Sequence, residues 1–194
     1  VYVAFESQKS DSTDISMIVK NSFGWSKPFL VDSGLYHAVG PKMVIDSNNN
    51  LHLVWEDHRD IIGSIMYLNR SYETGKWSDV SRITPITTNA KRPSIDIDPE
   101  DERIYVTYTG YSTSGVSNIF ITGTYANNAA WDEPVQISNS SNDADFSDVV
   151  AWNNVVYVLW HGNNTGKYEI YGRRVTSSFA AIESAQQLTE TVIP

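Results

Sequence analysis

The chain has 194 residues, with 14 Lys and Arg against 23 Asp and Glu, a formal charge of −9. So acidic a chain lacks the basic stripe that displaces counterions from nucleic acid or grips anionic lipid, and no nucleic-acid partner is expected. No apolar run approaches the ~20 residues of a membrane helix, so no membrane insertion is expected either. Hydrophobic residues at 41% suffice for a core, and the absence of Cys excludes disulfides, thiol catalysis and zinc–thiolate sites.

The chain repeats. Val1–Ser7, Leu51–Asp57, Ile104–Gly110 and Val156–Gly162 align without gaps, and Phe5, Trp55, Tyr108 and Trp160 share a column at spacings of 50, 53 and 52. These stretches are β-branched and aromatic, which favours strands. A second strand follows in each unit, headed by Ile15, Ile65, Ile119 or Ile170. Trp25, Trp77 and Trp131 then introduce a short strand ending at Leu30–Val31, Ile83–Thr84 or Ile137–Ser138. The fourth copy has no such Trp near Ile182 and ends at Leu188–Thr189. In the later copies a further strand precedes the first column, at Met43–Ile45, Ser94–Ile97 and Asp148–Val150. Turn formers separate the strands: Asp46–Asn50, Tyr72–Gly75, Asp98–Asp101, Ala126–Asn128 and Asn153–Asn154.

Four short strands per unit, with no helical periodicity, is the pattern of a propeller blade. The expected fold is all-β: a β-propeller of four-stranded antiparallel blades, roughly fifteen strands in a single domain over 1–194. The expected blades are 1–40 (incomplete), 41–91, 92–142 and 143–193. The first lacks its leading strand, which Pro41 and Pro93 precede in the next two; Pro194 falls at the same place. That predicts either a piece of a larger ring or a strand supplied by another copy, hence a homo-oligomer or the remainder of a longer chain as partner.

Ser71-Tyr-Glu-Thr-Gly-Lys-Trp77 resembles the sialidase Asp-box, Ser-x-Asp-x-Gly-x-Thr-Trp, with Glu73 at the Asp and no Thr before the Trp. Asn21–Trp25 and Ala126–Trp131 keep only the Trp and a short turn. Leu53–Arg59, followed by Ile65–Tyr67, is similar to the strand pattern of sialidase-like extracellular propellers with BNR repeats. The resemblance implies an extracellular or cell-surface protein. It also implies that the box is a structural turn on the face opposite the catalytic one. Sialidases hold a carboxylate with three arginines and use a Tyr nucleophile with a Glu partner and an Asp acid/base. Here only Arg59 and Arg92 stand in functional-loop positions, Arg92-Pro93 echoing an Arg-Ile-Pro motif, so a complete triad is not assembled from this sequence.

Antiparallel alternation gathers the loops before the first and after the second strand of each blade on one face. That face carries His37, Glu56, Asp57, His58, Arg59, Asp60, Lys91, Arg92, Tyr111, Asp143, Asp145, His161 and Asn163. The candidate ligand-binding residues are Glu56, Asp57, His58, Arg59, Asp60, Arg92, Tyr111, His161 and Asn163. Carboxylates and amides bond sugar hydroxyls, and aromatic rings stack on sugar rings. Plainer readings stand beside these. Asp57 and Arg59 pair with each other or bond their own loop, both Trp columns are packing, and His52 is a satisfied strand histidine. No two His have zinc spacing. Asp46-x-Asn48-x-Asn50 has the alternating oxygens that suit calcium, as Asp143 and Asp145 do more weakly. It lacks the following Gly and later Glu of a calcium loop, so a hairpin turn and no cofactor are expected. Sequons at Asn69, Asn139 and Asn163 are no more than chance supplies.

The leading expectation is a non-catalytic binding or scaffold module that recognises a glycan or a protein partner. One alternative is a fragment of a sialidase-like glycoside hydrolase, with Glu56, Asp57 and Asp60 as candidate carboxylates. Another is a structural module assembling by strand exchange.

Overall fold

The structure is a computed structural model that describes residues 1–32, 36–111, 115–127, 130–138, 142–179 and 183–189. The Asn139 sequon, Ile182 and the terminal Val192–Pro194 lie outside these. The described residues form four antiparallel sheets. The first holds β1 (Tyr2–Gln8), β2 (Thr13–Asn21), β3 (Gly24–Trp25) and β4 (Phe29–Asp32). The second holds β5 (Ala38–Ile45), β6 (Leu51–Asp57), β7 (Ser64–Arg70) and β8 (Ser81–Arg82). The third holds β9 (Asn89–Asp98), β10 (Arg103–Tyr111), β11 (Ser117–Tyr125) and β12 (Val135–Gln136). The fourth holds β13 (Ala144–Trp152), β14 (Val155–Gly162), β15 (Glu169–Thr176) and β16 (Gln186–Gln187). Strands lie in chain order within sheets two to four, whereas β3 and β4 both pair with β2. The sixteenth strand arises because the last strand of the first sheet is broken before Phe29, where Pro28 has no N–H to give the ladder. No described helix is long and apolar enough to cross a membrane.

The core sits between sheets rather than within one. Ile15 and Met17 of the first sheet meet Leu53 and Trp55 of the second. Val54 and Ile65 meet Val106 and Tyr108 of the third, whose Tyr105 and Ile119 meet Val158 and Trp160 of the fourth. Alternate side chains of a strand point to opposite faces, so each middle sheet feeds both neighbours. This is why β6 is buried along its whole length and β10 along all but its last residue. Trp55, Tyr108 and Trp160 are buried as their column predicts, but Phe5 is only half-buried. Trp77 and Trp131 likewise pack on the preceding sheet, and Trp25, expected to pack, is 52% exposed beneath the Lys20 ammonium. Both exceptions belong to the first sheet, which has no preceding sheet among the described residues. The far face of the fourth sheet exposes Trp152, Tyr157, Leu159, Ile170 and Leu188.

The leading strands β5, β9 and β13 pack side by side, and β5 also packs on β1. They begin earlier than the sequence suggested, and Pro41 and Pro93 lie inside β5 and β9 rather than before them. Each is interrupted by the same bulge: pairing skips from Val39 to Lys42, from Lys91 to Ser94 and from Asp145 to Asp148. The unopposed residues owe nothing to the ladder, so proline is tolerated there. The first bulge residue is left-handed every time: Gly40 at φ 63°, Arg92 at 53° and Phe146 at 53°.

Candidate functional site

The three bulges converge on a cavity of about 400 Å³ to which all four sheets contribute: Glu6, Lys42, Glu56, Arg92, Phe146 and Ser147 are among its walls. Bulges re-aim side chains, and a left-handed non-glycine residue costs ~1–3 kcal/mol unless its surroundings hold it. A latch across each junction does so. Glu6 accepts the Gly40 N–H at 2.8 Å, and Glu56, in the same column, accepts the Arg92 N–H at 3.0 Å. Thr109 continues that column but is too short to reach. Asp145 replaces the carboxylate, accepting its neighbour's Phe146 N–H at 2.9 Å and the Thr109 hydroxyl at 2.6 Å.

Arg92 is the centre of the site. Its guanidinium stacks over the Phe146 ring at 4.4 Å, donates to Tyr111 Oη at 3.1 Å and pairs with Asp145. Burial works against its charge, but the Tyr111 and Asp145 contacts outweigh that and raise its pKa. Phe146 is 62% exposed, leaving an aromatic face at the mouth. The Ser147 hydroxyl is buried and has no hydrogen-bond partner among the described residues. Lys91 lies over the Tyr111 ring at 5.5 Å.

The structure brings Glu56, Arg92, Tyr111 and Asp145 together, with His58 adjoining through a 2.7 Å contact from Nε2 to Glu56. His161 lies nearby, stacked on Tyr168 and edge-on to Phe146. Asp57, Arg59 and Asp60 point elsewhere. Asp57 is buried and accepts from Trp55 Nε1 at 3.0 Å and from the backbone N–H and Nε of Arg59 at 2.9 and 2.8 Å. Burial alone would raise its pKa, but these hydrogen bonds outweigh it and hold Asp57 below the usual carboxylate value. Arg59 also pairs with Asp32, and Asp60 pairs with Arg82. Each arginine named on this face is thus neutralised by a carboxylate. Asn163 is tied to the segment before β13, its backbone N–H bonding Asp143 O at 2.9 Å, and its side-chain oxygen is buried.

Sequence reasoning missed Glu6, Lys42, Phe146 and Ser147. The signal was present: Gly40-Pro41, Arg92-Pro93 and Phe146-Ser147 occupy one column, which the assumed strand starts placed outside the sheet. At the other end of the molecule, Asp46 spends both carboxylate oxygens on Asn50, at 2.7 and 2.8 Å, and sees His52 at 3.3 Å. That is the hairpin-turn geometry. No group of three His, Cys, Asp or Glu able to hold a metal occurs among the described residues. The box-like turn is followed only in part. Ser71 Oγ accepts the Thr74 N–H at 3.2 Å, but Glu73 bonds nothing among the described residues.

No protein family matches the sequence, and no curated protein does. Solved structures match the fold. The sialidase of Trypanosoma rangeli aligns with a TM-score of 0.63 at 9% identity, over 93% of this chain and 34% of that one. An exo-1,5-α-L-arabinanase from a bovine ruminal metagenomic library aligns at 0.59 and 11%, over 97% and 74%. The GH43 endo-arabinanase of Bacillus licheniformis aligns at 0.54 and 17%, over 91% and 70%. At these identities the likeness is one of fold, and Asp-box repeats receive no support from it. The four sheets around a common end, together with these neighbours, make the chain a β-propeller of four-stranded blades.

Proposed function

We propose that the chain is the substrate-holding part of a propeller of the glycoside-hydrolase type, taking a neutral saccharide in the axial cavity. The observation that carries this is the cavity itself, where sheets one, two and four bring Glu6, Glu56 and Asp145 around Arg92 and the exposed Phe146 ring. Hydrolysis of a glycoside needs two carboxylates flanking the bond, one giving a proton and one acting as base or nucleophile. Glu6, Glu56 and Asp145 are the candidates. Neutrality follows from Arg92, whose guanidinium is committed to Asp145 and Tyr111 rather than offered to a substrate carboxylate. The neighbouring structures favour this over the binding-only expectation, since arabinanases and a sialidase are prominent among them. An extracellular or cell-surface location fits, because polysaccharides are met there.

The test is reducing-sugar release from arabinohexaose, with binding followed by calorimetry. Phe146→Ala should weaken binding about tenfold through lost ring stacking. Glu56→Gln, which keeps an acceptor for the Arg92 N–H, should abolish turnover while sparing binding. Binding without turnover by the native chain would restore the binding-only reading, and absence of both would remove the site. The exposed far face of the fourth sheet supports a second reading, in which another sheet or another copy packs there.

A further inference from the structure

The opposite end of the molecule, where the hairpin turns lie, carries a second concavity. It runs between the second and third sheets as adjoining hollows of about 450 and 410 Å³. Asn48, His52, Asn69 and Glu73 line the first, and Tyr67, Asn69, Asp79, Ser81 and Asn127 line the second. A third hollow of about 360 Å³ shares Ser81 and extends the trough to the half-buried Trp131. Each is of the size that binds small molecules.

The floor is built, not incidental. Tyr67 Oη lies 2.7 Å from His52 Nδ1, and His52 Nε2 lies 3.3 Å from Asp46 Oδ2. Burial lowers the His52 pKa, which favours the neutral ring. Only one proton order then satisfies both contacts: Tyr67 donates to Nδ1, and Nε2–H donates to Asp46. The phenol is therefore fixed as a donor inward, and its oxygen accepts a long 3.5 Å bond from Asn69 Nδ2 and keeps a second lone pair for the trough. Trp131 braces the Tyr67 ring edge-on at 5.0 Å. Asn48 and Glu73 make no side-chain hydrogen bond among the described residues, nor does the Asn69 side-chain oxygen.

The next junction shows what an unused hollow looks like. Between the third and fourth sheets the same place is plugged by Phe179, which packs edge-on to Tyr105 at 6.1 Å under the Arg103 guanidinium. Phe179 comes from the turn after β15. Among the described residues, the corresponding turn after β11 brings only the small side chains of Ala126 and Asn127 to the space.

We propose that this trough is a second saccharide site, separate from the axial cavity, which takes an extended neutral oligosaccharide. Amides, a phenol oxygen and a hydroxyl along the floor match sugar hydroxyls, and Trp131 at one end offers a ring to stack on. No Lys or Arg lines the two hollows that share Asn69, Arg82 of the third is paired with Asp60, and Glu73 and Asp79 repel anions, so neutral sugars are favoured over acidic ones. The site stands on its own geometry and does not depend on the axial reading.

The test is an NMR titration of the full chain with arabinohexaose, with the acidic sialidase inhibitor DANA as a contrast. Shifts are expected at the side-chain amides of Asn48, Asn69 and Asn127 and at the Trp131 indole, and none there with DANA. Ala126→Phe, which fills both hollows from the turn, and Asn69→Ala, which removes an amide and its long bond to Tyr67, should each weaken this binding at least fivefold. Phe146→Ala should leave it unchanged. Shifts confined to the axial residues, or unaltered affinity in a folded Asn69→Ala variant, would overturn the proposal while leaving the axial site standing. Loss of the axial shifts alone would do the reverse.

Discussion

Two junctions of the same molecule solve one packing problem differently. Between the second and third sheets, Asp46, His52 and Tyr67 form a buried hydrogen-bonded row and the space above it stays open. Between the third and fourth, the equivalent strand position of His52 is Tyr105, and Phe179 closes the space. The closed junction gains apolar contact but leaves the Tyr105 and Thr107 hydroxyls buried without a partner among the described residues. The open junction has its buried donors and acceptors matched and keeps a polar trough. A repeat fold thus carries a hollow at one junction and a plug at the next. The axial ends differ too: Glu56 latches the open junction directly, and Thr109 with Asp145 latches the closed one.

The largest effect is expected at the plug. Phe179→Ala should open the closed junction and cost ~2–4 kcal/mol, somewhat less than a fully buried Phe because Phe179 is half-buried. Urea unfolding measures this, and a cost below about 0.5 kcal/mol would mean the plug is ornamental. The latches come next. Glu56→Ala leaves the strained Arg92 bulge with an unsatisfied N–H and should cost ~1–3 kcal/mol, whereas Thr109→Val should cost about 1 because Asp145 still holds the Phe146 N–H. Equal losses in the same unfolding assay would show that the two latches are equivalent after all. The smallest effect is in pH dependence. Burial holds the His52 pKa below 6.5, so the unfolded chain takes up that proton first. Stability from this group is full above 6.5 and falls as the pH drops toward the lower folded value. His52→Gln should flatten that part of the profile, and an unchanged slope would place its origin elsewhere.

Much of this architecture was legible in the chain. The column of Trp55, Tyr108 and Trp160 located the second strand of sheets two to four, because the repeat places a buried aromatic at each of their junctions, and Phe5 marked the first strand of sheet one. The site was legible only in part. Glu56, Arg92, Tyr111 and Asp145 were placed on one end by strand alternation alone. Phe146 and Ser147 were not, because a bulge shifts side-chain direction by one residue and strand patterns assume none. Asp57 and Arg59 looked equally available in sequence. Which carboxylate meets solvent and which is locked depends on Trp55 and Asp32, brought up from a neighbouring strand position and the preceding sheet.

The period, the strands and the propeller follow from the repeat, side-chain alternation and local turn chemistry. Which polar groups face the axis, which form latches and where a hollow stays open are set by packing between sheets. Those outcomes depend on the distance between sheets far apart in the chain, and no local pattern encodes that distance.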